Sequence, residues 1–213
     1  MKIQTKICGL STPEFVDCAV DAGAAMVGFV FFPPSPRSIS IGEAAALTAR
    51  VPDGVKKVAL TVNAGDELLA DIAANAGVDI LQLHGSEQPE RVFEVRHTYN
   101  LPVIKALPVE DQVDLMVARG YDGVVDYFLF DAKPPKDATR PGGNAVAFDW
   151  TLLKGFSLGK PWLLAGGLTP ENVAEAVQIS GAHMVDVSSG VEDQPGIKNL
   201  DKIRAFLGTL ESS

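Results

Sequence analysis

Two patterns of apolar residues alternate along the chain. Short runs rich in Val, Ile, Leu and Phe predict β-strands, whereas longer stretches with apolar residues three and four positions apart predict helices. The predicted strands begin near Ile3, Met26, Val58, Ile80, Val103, Tyr127, Trp162 and Met184. The predicted helices include residues 13–22, 41–51, 66–76 and 170–180. This alternation predicts a single-domain α/β fold over residues 1–213, a (β/α)8 TIM barrel, since eight parallel strands close such a barrel.

Local signals mark several helix ends. Thr12-Pro13 and Thr169-Pro170 each place a hydroxyl that can cap a helix before a proline suited to its first turn. Gly23, Gly77 and Gly181 follow predicted helices, where glycine adopts the left-handed conformation that ends a helix. We therefore expect helices to begin after the two threonines and to end before the three glycines.

The longest irregular stretch, residues 132–147, directly follows the sixth predicted strand. It contains Pro134, Pro135, Pro141, Gly142 and Gly143. Loops at this end of a barrel commonly carry function, so we expect a flexible lid here rather than a domain boundary. A doubly wound open sheet is the main alternative fold. It is less well supported, because Cys8-Gly9-Leu10 rather than a glycine-rich phosphate fingerprint follows the first strand.

The composition is that of a globular protein and narrows its partners. The chain is 46% hydrophobic and 21% charged, with a net charge of −9 that argues against nucleic acid or an anionic membrane surface. Its two cysteines match neither a disulfide scaffold nor a zinc motif, and no signal peptide or membrane-spanning run is apparent. We expect a cytoplasmic protein whose site creates a local positive field for any anionic substrate.

Cys8 ends the first predicted strand and is a candidate catalytic residue. Side chains along a strand alternate between the two faces of the sheet, so Ile3, Thr5 and Ile7 face the helices and Cys8 faces the barrel interior with Lys6. A neighbouring ammonium would favour the thiolate. Cys18, on the first helix, is interpreted as an ordinary buried cysteine.

Asp131 ends the sixth predicted strand and is the second candidate. Phe128 and Phe130 suit the helix-facing side, which leaves Asp131 and Lys133 inside. A thiol and a carboxyl would then face each other at the mouth of the barrel, where they can act as base and acid. Asp131 could instead cap the following loop. Asp126 lies at the start of the strand on the other face and is interpreted as structural.

Further strand ends deliver polar groups to the same interior. The fourth strand places Gln82 and His84 inside, and the eighth places Asp186 and Ser188 inside. His84 could act directly in catalysis or bind substrate, or it could simply hydrogen-bond within the mouth. A barrel with a purely structural role would not need several inward polar residues at one end.

Arg37 lies in the proline-rich loop Phe32-Pro33-Pro34-Ser35-Pro36-Arg37-Ser38 after the second strand. The prolines stiffen the backbone and would hold the guanidinium in place. A fixed guanidinium can bind a carboxylate through two hydrogen bonds. The alternative is an exposed, solvated arginine.

The C-terminal part of the chain carries a signal for phosphate binding. Gly166 and Gly167 follow the seventh strand, and Ser188, Ser189 and Gly190 follow the eighth. Glycines let backbone N–H groups approach an anion, and a short helix after Ser189-Gly190 would add its dipole. Loops after strands seven and eight are where such barrels commonly bind phosphate.

Taken together, these segments resemble phosphoribosylanthranilate isomerase, a family of tryptophan biosynthesis, over essentially the whole chain. The shared segments are Lys6-Ile7-Cys8-Gly9, Pro36-Arg37-Ser38, Gln82-Leu83-His84-Gly85, Phe130-Asp131, Phe148-Asp149-Trp150, Leu164-Ala165-Gly166-Gly167-Leu168 and Asp186-Val187-Ser188-Ser189-Gly190-Val191-Glu192. The resemblance implies the Amadori rearrangement of N-(5-phosphoribosyl)anthranilate to 1-(2-carboxyphenylamino)-1-deoxyribulose 5-phosphate. In this family pattern Asp131 is the general acid, Cys8 is the general base, and neither metal nor organic cofactor takes part.

Other functions remain open at this point. A different phosphate-binding barrel enzyme is one, although an epimerase usually needs metal-ligating residues and this chain has only His84, His97 and His183. An indole-glycerol-phosphate synthase would be expected to show more inward Lys and Glu. A non-catalytic module that binds phosphorylated ligands is another, but it would not need Cys8 and Asp131. The expected partner is a small phosphosugar-anthranilate substrate, bound by a monomer or homodimer.

Overall fold

Eight parallel strands form a closed barrel in chain order, and the last strand pairs with the first. The computed structural model describes residues 2–133, 142–143 and 147–211. Every strand begins within two residues of its predicted start, so the predicted barrel is confirmed. The strands are Gln4–Cys8 (β1), Met26–Phe31 (β2), Lys56–Thr61 (β3), Ile80–Leu83 (β4), Val103–Val109 (β5), Tyr127–Ala132 (β6), Trp162–Leu164 (β7) and Met184–Val187 (β8).

Helices surround the barrel, and most follow the predicted ends. Thr12 caps the first helix by accepting a hydrogen bond from the Phe15 amide at 3.3 Å. Gly23, Gly77 and Gly181 have φ values of 90°, 66° and 74°, as their role after helices requires. The helices are Pro13–Asp21 (α1), Ile41–Thr48 (α2), Asp66–Asn75 (α3), Pro89–Tyr99 (α4), Gln112–Val117 (α5), Val173–Ser180 (α6) and Leu200–Glu211 (α7).

Two predictions about helix starts are wrong. The helix after β7 begins at Val173 rather than Pro170, because Thr169–Asn172 form a turn in which the Asn172 side chain accepts from the Thr169 amide at 2.8 Å. The expected short helix after Ser189-Gly190 is also wrong, since Ser189–Val191 themselves form a 3₁₀ turn. A turn this short has no useful macrodipole, so the dipole argument for this loop fails.

The loop after β6 is described only in part. Of the predicted lid, residues 134–141 and 144–146 lie outside the described residues. Gly142 and Gly143 are described and lie over the mouth of the barrel, by which we mean the C-terminal ends of the strands. In the described part of this βα unit, a 3₁₀ turn at Trp150–Leu153 precedes β7.

The barrel interior is apolar at the bottom and polar at the mouth. Apolar side chains form an inner cluster, while Ile7, Leu83, Phe130 and Val187 belong to the outer layer between strands and helices. The strand residues that alternate with this outer set therefore face inward. The inner cluster consists of Met26, Val58, Ile80, Ile104, Ala106, Leu129, Leu163, Ala165 and Met184.

A small antiparallel hairpin follows the barrel and was not predicted. Its strands are Glu192–Gln194 (β9) and Ile197–Lys198 (β10). Gly196 in its turn has a φ of 87° and lies so close to the Pro36 carbonyl that a β-carbon would stand 2.6 Å from that oxygen. The hairpin is thus packed against the proline-rich loop after β2. In the described part of the chain, no helix is long and apolar enough to cross a membrane.

Candidate active site

Two adjoining cavities open at the mouth of the barrel. One, the glycine-lined cavity, encloses about 420 Å³ including the part open to solvent, and is bounded by the turns after β7 and β8. The other, the arginine-lined cavity, encloses about 490 Å³ on the same basis and includes Cys8 and Arg37. Both are bordered by Asp131, Gly142, Gly143, Asp186 and Ser188. The two cavities therefore form one elongated site with chemically different ends.

Cys8 lies inside the barrel next to a buried ion pair. The Lys6 ammonium donates to the Asp186 carboxylate at 2.7 Å, and all three side chains are almost fully buried. Gly28 on the adjacent strand leaves room for them, because a β-carbon there would stand 2.9 Å from the Cys8 sulfur and 3.2 Å from Lys6 Cε. Alternation along β1 puts Lys6 and Cys8 on the same inward face, and closure of the barrel pairs β8 with β1, which brings Asp186 next to them.

Lys6 favours the Cys8 thiolate, as predicted, but burial outweighs this effect and the net shift of the Cys8 pKa is upward. Burial raises the pKa of the Cys8 thiol, and the Asp186 carboxylate adds to the increase. The Lys6 ammonium lowers that pKa but does not cancel the effect of burial. Lys6 itself stays charged: burial alone would lower its pKa, but Asp186 and Cys8 raise it above its usual value. The raised pKa favours the thiol form of Cys8 at neutral pH.

Asp131 lies at the end of β6 with both carboxylate oxygens engaged. Oδ1 accepts from the Ala132 amide at 2.9 Å, and Oδ2 lies 3.3 Å from Nε2 of His84. The Gln82 side chain donates to Nδ1 of His84 at 3.0 Å, so a neutral imidazole in this arrangement carries its proton on Nε2, facing Asp131. His84 thus orients Asp131 as well as bordering the cavity.

Gly142 and Gly143 lie directly against these side chains. A β-carbon on Gly142 would stand 2.6 Å from Oδ2 of Asp131 and 2.8 Å from Nε2 of His84. One on Gly143 would stand 2.9 Å from a terminal nitrogen of Arg37. The described part of the loop therefore covers the site with backbone alone, where any side chain would displace the functional groups.

Two neighbouring charges have structural roles. Asp126 binds Arg96 through two hydrogen bonds of 2.8 Å and accepts from the Val103 amide, which agrees with its interpretation as structural. Lys133 was predicted to face the interior, and this is wrong. Its side chain is about half exposed and lies 3.0 Å from the Glu110 carboxylate, outside the cavity. The strand ends at Ala132, so alternation no longer fixes the direction of Lys133.

Arg37 is buried rather than solvated, and a carboxylate already holds one edge of its guanidinium. Nε and one terminal nitrogen donate to the two oxygens of Glu192 at 2.7 and 2.8 Å. Arg37 also lines the arginine-lined cavity, and its other terminal nitrogen lies beside Gly143, which borders the same cavity. A ligand carboxylate can therefore reach only the edge formed by the terminal nitrogens. Val30, Phe32, Leu60 and Val62 supply the apolar wall of this cavity.

The glycine turns after β7 and β8 pack against each other. Gly190 lies so close to the Leu168 carbonyl that a β-carbon would overlap it. Gly166 and Gly167 have φ values of 85° and 64°, which glycine tolerates far better than other residues, and the Asn172 side chain ties down the Gly167 carbonyl at 2.9 Å. Within the described residues, the Gly167 N–H has no acceptor. These turns, with Ser189, offer backbone donors to an anion.

Ser188 connects the two ends of the site. Its hydroxyl donates to the Cys8 carbonyl at 3.0 Å, and its own carbonyl accepts from Lys198 at 2.9 Å. Lys198 also donates to Glu192 at 2.7 Å. Sequence reasoning assigned no role to Glu192 or Lys198, because their burial depends on a hairpin that was not predicted. Within the described part of the chain, no group of three His, Cys, Asp or Glu residues is arranged to hold a metal ion.

Comparison with known proteins agrees with this geometry. The profile of the family described as N-(5'phosphoribosyl)anthranilate (PRA) isomerase matches residues 5–209. The N-(5'-phosphoribosyl)anthranilate isomerases of Paramagnetospirillum magneticum and Paracoccus denitrificans are each 55% identical to this chain over 207 residues, covering 97% of it and 96% of the relative.

Solved structures give the same result. The phosphoribosyl anthranilate isomerase of Thermotoga maritima superimposes with a TM-score of 0.88 at 34% identity, covering 99% of this chain and all of the other. A phosphoribosyl anthranilate isomerase in complex with reduced 1-(o-carboxyphenylamino)-1-deoxyribulose 5-phosphate gives a TM-score of 0.85 at 33% identity, with 99% of this chain covered. The chain therefore belongs to the N-(5'-phosphoribosyl)anthranilate isomerase family.

Proposed function

We propose that this chain converts N-(5-phosphoribosyl)anthranilate into 1-(2-carboxyphenylamino)-1-deoxyribulose 5-phosphate, with Asp131 as general acid and Cys8 as general base. The observation that carries the proposal is that both residues border one cavity, between a guanidinium and a pair of glycine turns. A substrate with a carboxylate at one end and a phosphate at the other matches these two ends. Family membership supports the same reaction.

The two anionic groups of the substrate bind at opposite ends of the site. The free edge of Arg37 receives the anthranilate carboxylate, and the apolar wall at the C-terminal ends of β2 and β3 packs against the aromatic ring. The phosphate binds the backbone N–H groups of the turns at Gly166-Gly167 and Ser188-Ser189-Gly190. The ribose then spans the region between Cys8 and Asp131, where the second oxygen of Asp186 can accept a hydrogen bond from a sugar hydroxyl.

The first step opens the ribose ring. Asp131 gives its proton to the ring oxygen, the C1–O bond breaks, and the nitrogen lone pair forms a C1=N iminium. Oδ1 and Oδ2 keep their donors, Ala132 and His84, when the carboxylate forms. The Nε2–H of His84 is placed to stabilise that carboxylate through a charge-assisted hydrogen bond. His84 thus serves the acid directly and borders the sugar.

The second step removes the proton from C2. The Cys8 thiolate accepts it, the C2–H electron pair forms the C1=C2 bond, and the iminium nitrogen becomes a neutral enolamine that tautomerises to the ketone. Because burial raises the pKa of Cys8, the thiolate form is a minor one in the resting enzyme. The reaction uses the form in which Cys8 is a thiolate and Asp131 carries a proton. Lys6 lies beside the thiolate and stabilises it.

The reaction needs only a small-molecule substrate, and we propose a cytoplasmic location with no nucleic-acid or membrane partner. Both cysteines, Cys8 and Cys18, are free and buried, which fits a reducing compartment. A monomer or a homodimer is compatible with the proposal, since the chain itself supplies all the residues named above.

A spectroscopic turnover assay on freshly made phosphoribosylanthranilate tests the proposal. The purified protein should consume the substrate and yield the carboxyphenylamino deoxyribulose phosphate, identified by mass and by reduction to the stable analogue. Absence of turnover by folded protein that still binds the reduced product analogue would reduce the proposed enzyme to a binding module.

A further inference from the structure

A buried network of charges joins the hairpin β9–β10 to the Arg37 end of the site. The Glu192 carboxylate accepts four hydrogen bonds, from two nitrogens of Arg37 at 2.7 and 2.8 Å, from Lys198 at 2.7 Å and from the Gly196 amide at 3.2 Å. The side chains of Arg37, Glu192 and Lys198 are each at least 95% buried. Burying such a cluster of charges is costly, and its position beside the site indicates a role there.

The geometry divides the guanidinium into two edges with different tasks. Arg37 has five N–H groups, and Glu192 takes the edge that contains Nε. The carboxylate thereby fixes both the plane of the guanidinium and its rotation about the side-chain axis. The terminal nitrogen that Glu192 does not engage lies next to the Gly143 backbone, and both Arg37 and Gly143 line the arginine-lined cavity. A second carboxylate can bind only there.

Lys198 keeps this arrangement positively charged. Arg37 and Lys198 with Glu192 carry a net charge of +1, whereas the whole chain carries −9. Burial lowers the pKa of Lys198 to about 8, with Glu192 opposing the decrease. Burial alone would raise the pKa of Glu192, but Arg37 and Lys198 hold it below its usual value. Glu192 is therefore ionised and can orient Arg37 without neutralising this end of the site.

We propose that Glu192 is a positioning residue, which holds the Arg37 guanidinium in the orientation that receives the anthranilate carboxylate while Lys198 balances its charge. This rests on the proposed function, in which Arg37 binds that carboxylate. Glu192 touches no reacting atom and acts through Arg37. Its loss should therefore weaken recognition of the carboxylate and leave the chemistry at Cys8 and Asp131 largely intact.

Two ligands isolate the carboxylate end. One is reduced 1-(o-carboxyphenylamino)-1-deoxyribulose 5-phosphate, and the other is the same compound with a phenyl ring that lacks the carboxylate. The ratio of their Kd values, measured by calorimetry, reports the contribution of the carboxylate and cancels changes at the phosphate end. In Arg37→Ala the two ligands should bind almost equally well, so that this ratio approaches one.

Glu192→Gln should raise the Kd of the carboxylated ligand about tenfold or more, the equivalent of about one charge-assisted hydrogen bond, and leave that of the other ligand unchanged. Removing the negative charge of Glu192 makes this end of the site more positive, which could by itself favour the ligand carboxylate. That gain should not offset the loss, because Lys198 gives up its proton more readily without the neighbouring carboxylate. In turnover, KM should rise and kcat should stay near that of the wild type. Asp193→Asn is the matched control, since Asp193 lies in the same hairpin but pairs with Lys202 at the surface.

A double-mutant cycle separates positioning from general support of the fold. If Glu192 acts through Arg37, adding Glu192→Gln to Arg37→Ala should change the ratio no further. If Glu192→Gln does not fold, Glu192→Gln/Lys198→Met removes both charges of that pair and tests the same ratio.

The possible failures are distinguishable. If the ratio of Kd values stays at the wild-type value in Glu192→Gln but approaches one in Arg37→Ala, the positioning role of Glu192 is overturned and the role of Arg37 stands. An unchanged ratio in Arg37→Ala would instead remove Arg37 from the proposed function. Equal weakening of both ligands by Glu192→Gln would show that Glu192 supports the fold of the site rather than the orientation of the guanidinium.

Discussion

Replacement of Cys8 by serine should remove most of the catalytic power while preserving the fold. The hydroxyl of serine is far less acidic than a thiol, so the fraction that can act as base becomes negligible even beside Lys6. A general base typically contributes about 10²–10⁴ in rate, which corresponds to about 2.7–5.4 kcal/mol of transition-state stabilisation at 1.36 kcal/mol per tenfold. We therefore expect kcat to fall by at least ~10².

The structure predicts a small cost in stability for the same change. The Cys8 side chain is buried against Gly28 and Lys6, and an oxygen is smaller than sulfur, so no overlap is introduced. The hydroxyl gains Lys6 as a donor, so it is not left without a partner. The free energy of unfolding should change by about 1 kcal/mol, the common value for a single substitution.

Cys18→Ser provides the matched control, because the Cys18 sulfur lies 3.5 Å from the Leu200 carbonyl and a hydroxyl can donate to the same oxygen. Turnover on phosphoribosylanthranilate, urea unfolding and calorimetry with the reduced product analogue are measured on all three proteins. The control should match the wild type in kcat. A folded Cys8→Ser protein that binds the analogue and retains near-normal kcat would refute the assignment of Cys8 as base.

Three further predictions concern the acid, the glycine turns and the thiol. Asp131→Asn keeps the shape of the side chain but has no carboxyl proton to give, so kcat should fall by about 10² or more with little change in analogue binding. The control Asp126→Asn should leave kcat unchanged and lower the free energy of unfolding by about 1–2 kcal/mol, because it weakens the bond to Arg96. Equal losses of kcat in the two variants would mean that the wrong carboxylate was chosen. Gly190→Ala should force apart the turns after β7 and β8, which should lower the free energy of unfolding by about 1–3 kcal/mol and weaken the binding of inorganic phosphate measured by calorimetry. The control Gly208→Ala, in α7 with nothing within 4 Å of the new carbon, should raise the free energy of unfolding by about 0.5–1 kcal/mol. Unchanged phosphate affinity in Gly190→Ala would refute the assigned phosphate site. Burial raises the pKa of Cys8, so its thiolate absorbance, measured as the difference between wild type and Cys8→Ser during a pH titration, should have its midpoint above pH 8.5, about the ordinary thiol value. A midpoint below that pH would contradict the burial argument.

Strand alternation was the part of the sequence that predicted the site best. It depends only on local geometry, so the helix-facing Ile7, Leu83 and Phe130 were enough to place Cys8, His84 and Asp131 inside. The rule stopped working where strands stop. Lys133 lies one residue beyond β6 and turns outward to Glu110, which no alternation pattern can indicate.

Electrostatics and loop packing were less accessible to sequence reasoning. Lys6 is visible as the inward neighbour of Cys8, but the burial that dominates the thiol pKa and the Asp186 partner both depend on the closed barrel. Arg37 and Glu192 lie 155 positions apart and meet through a hairpin of only five strand residues. That hairpin is mostly polar and too short to give a periodic signal.

The most direct test of the proposed site is a crystal structure of this protein with reduced 1-(o-carboxyphenylamino)-1-deoxyribulose 5-phosphate bound. We predict the carboxylate on the free edge of Arg37, the phosphate on the turns at Gly167 and Ser188-Ser189-Gly190, and C2 of the sugar within van der Waals contact of the Cys8 sulfur. A ligand bound in the reverse direction, with phosphate at Arg37 and C2 out of reach of Cys8, would contradict both the substrate orientation and the assignment of the base.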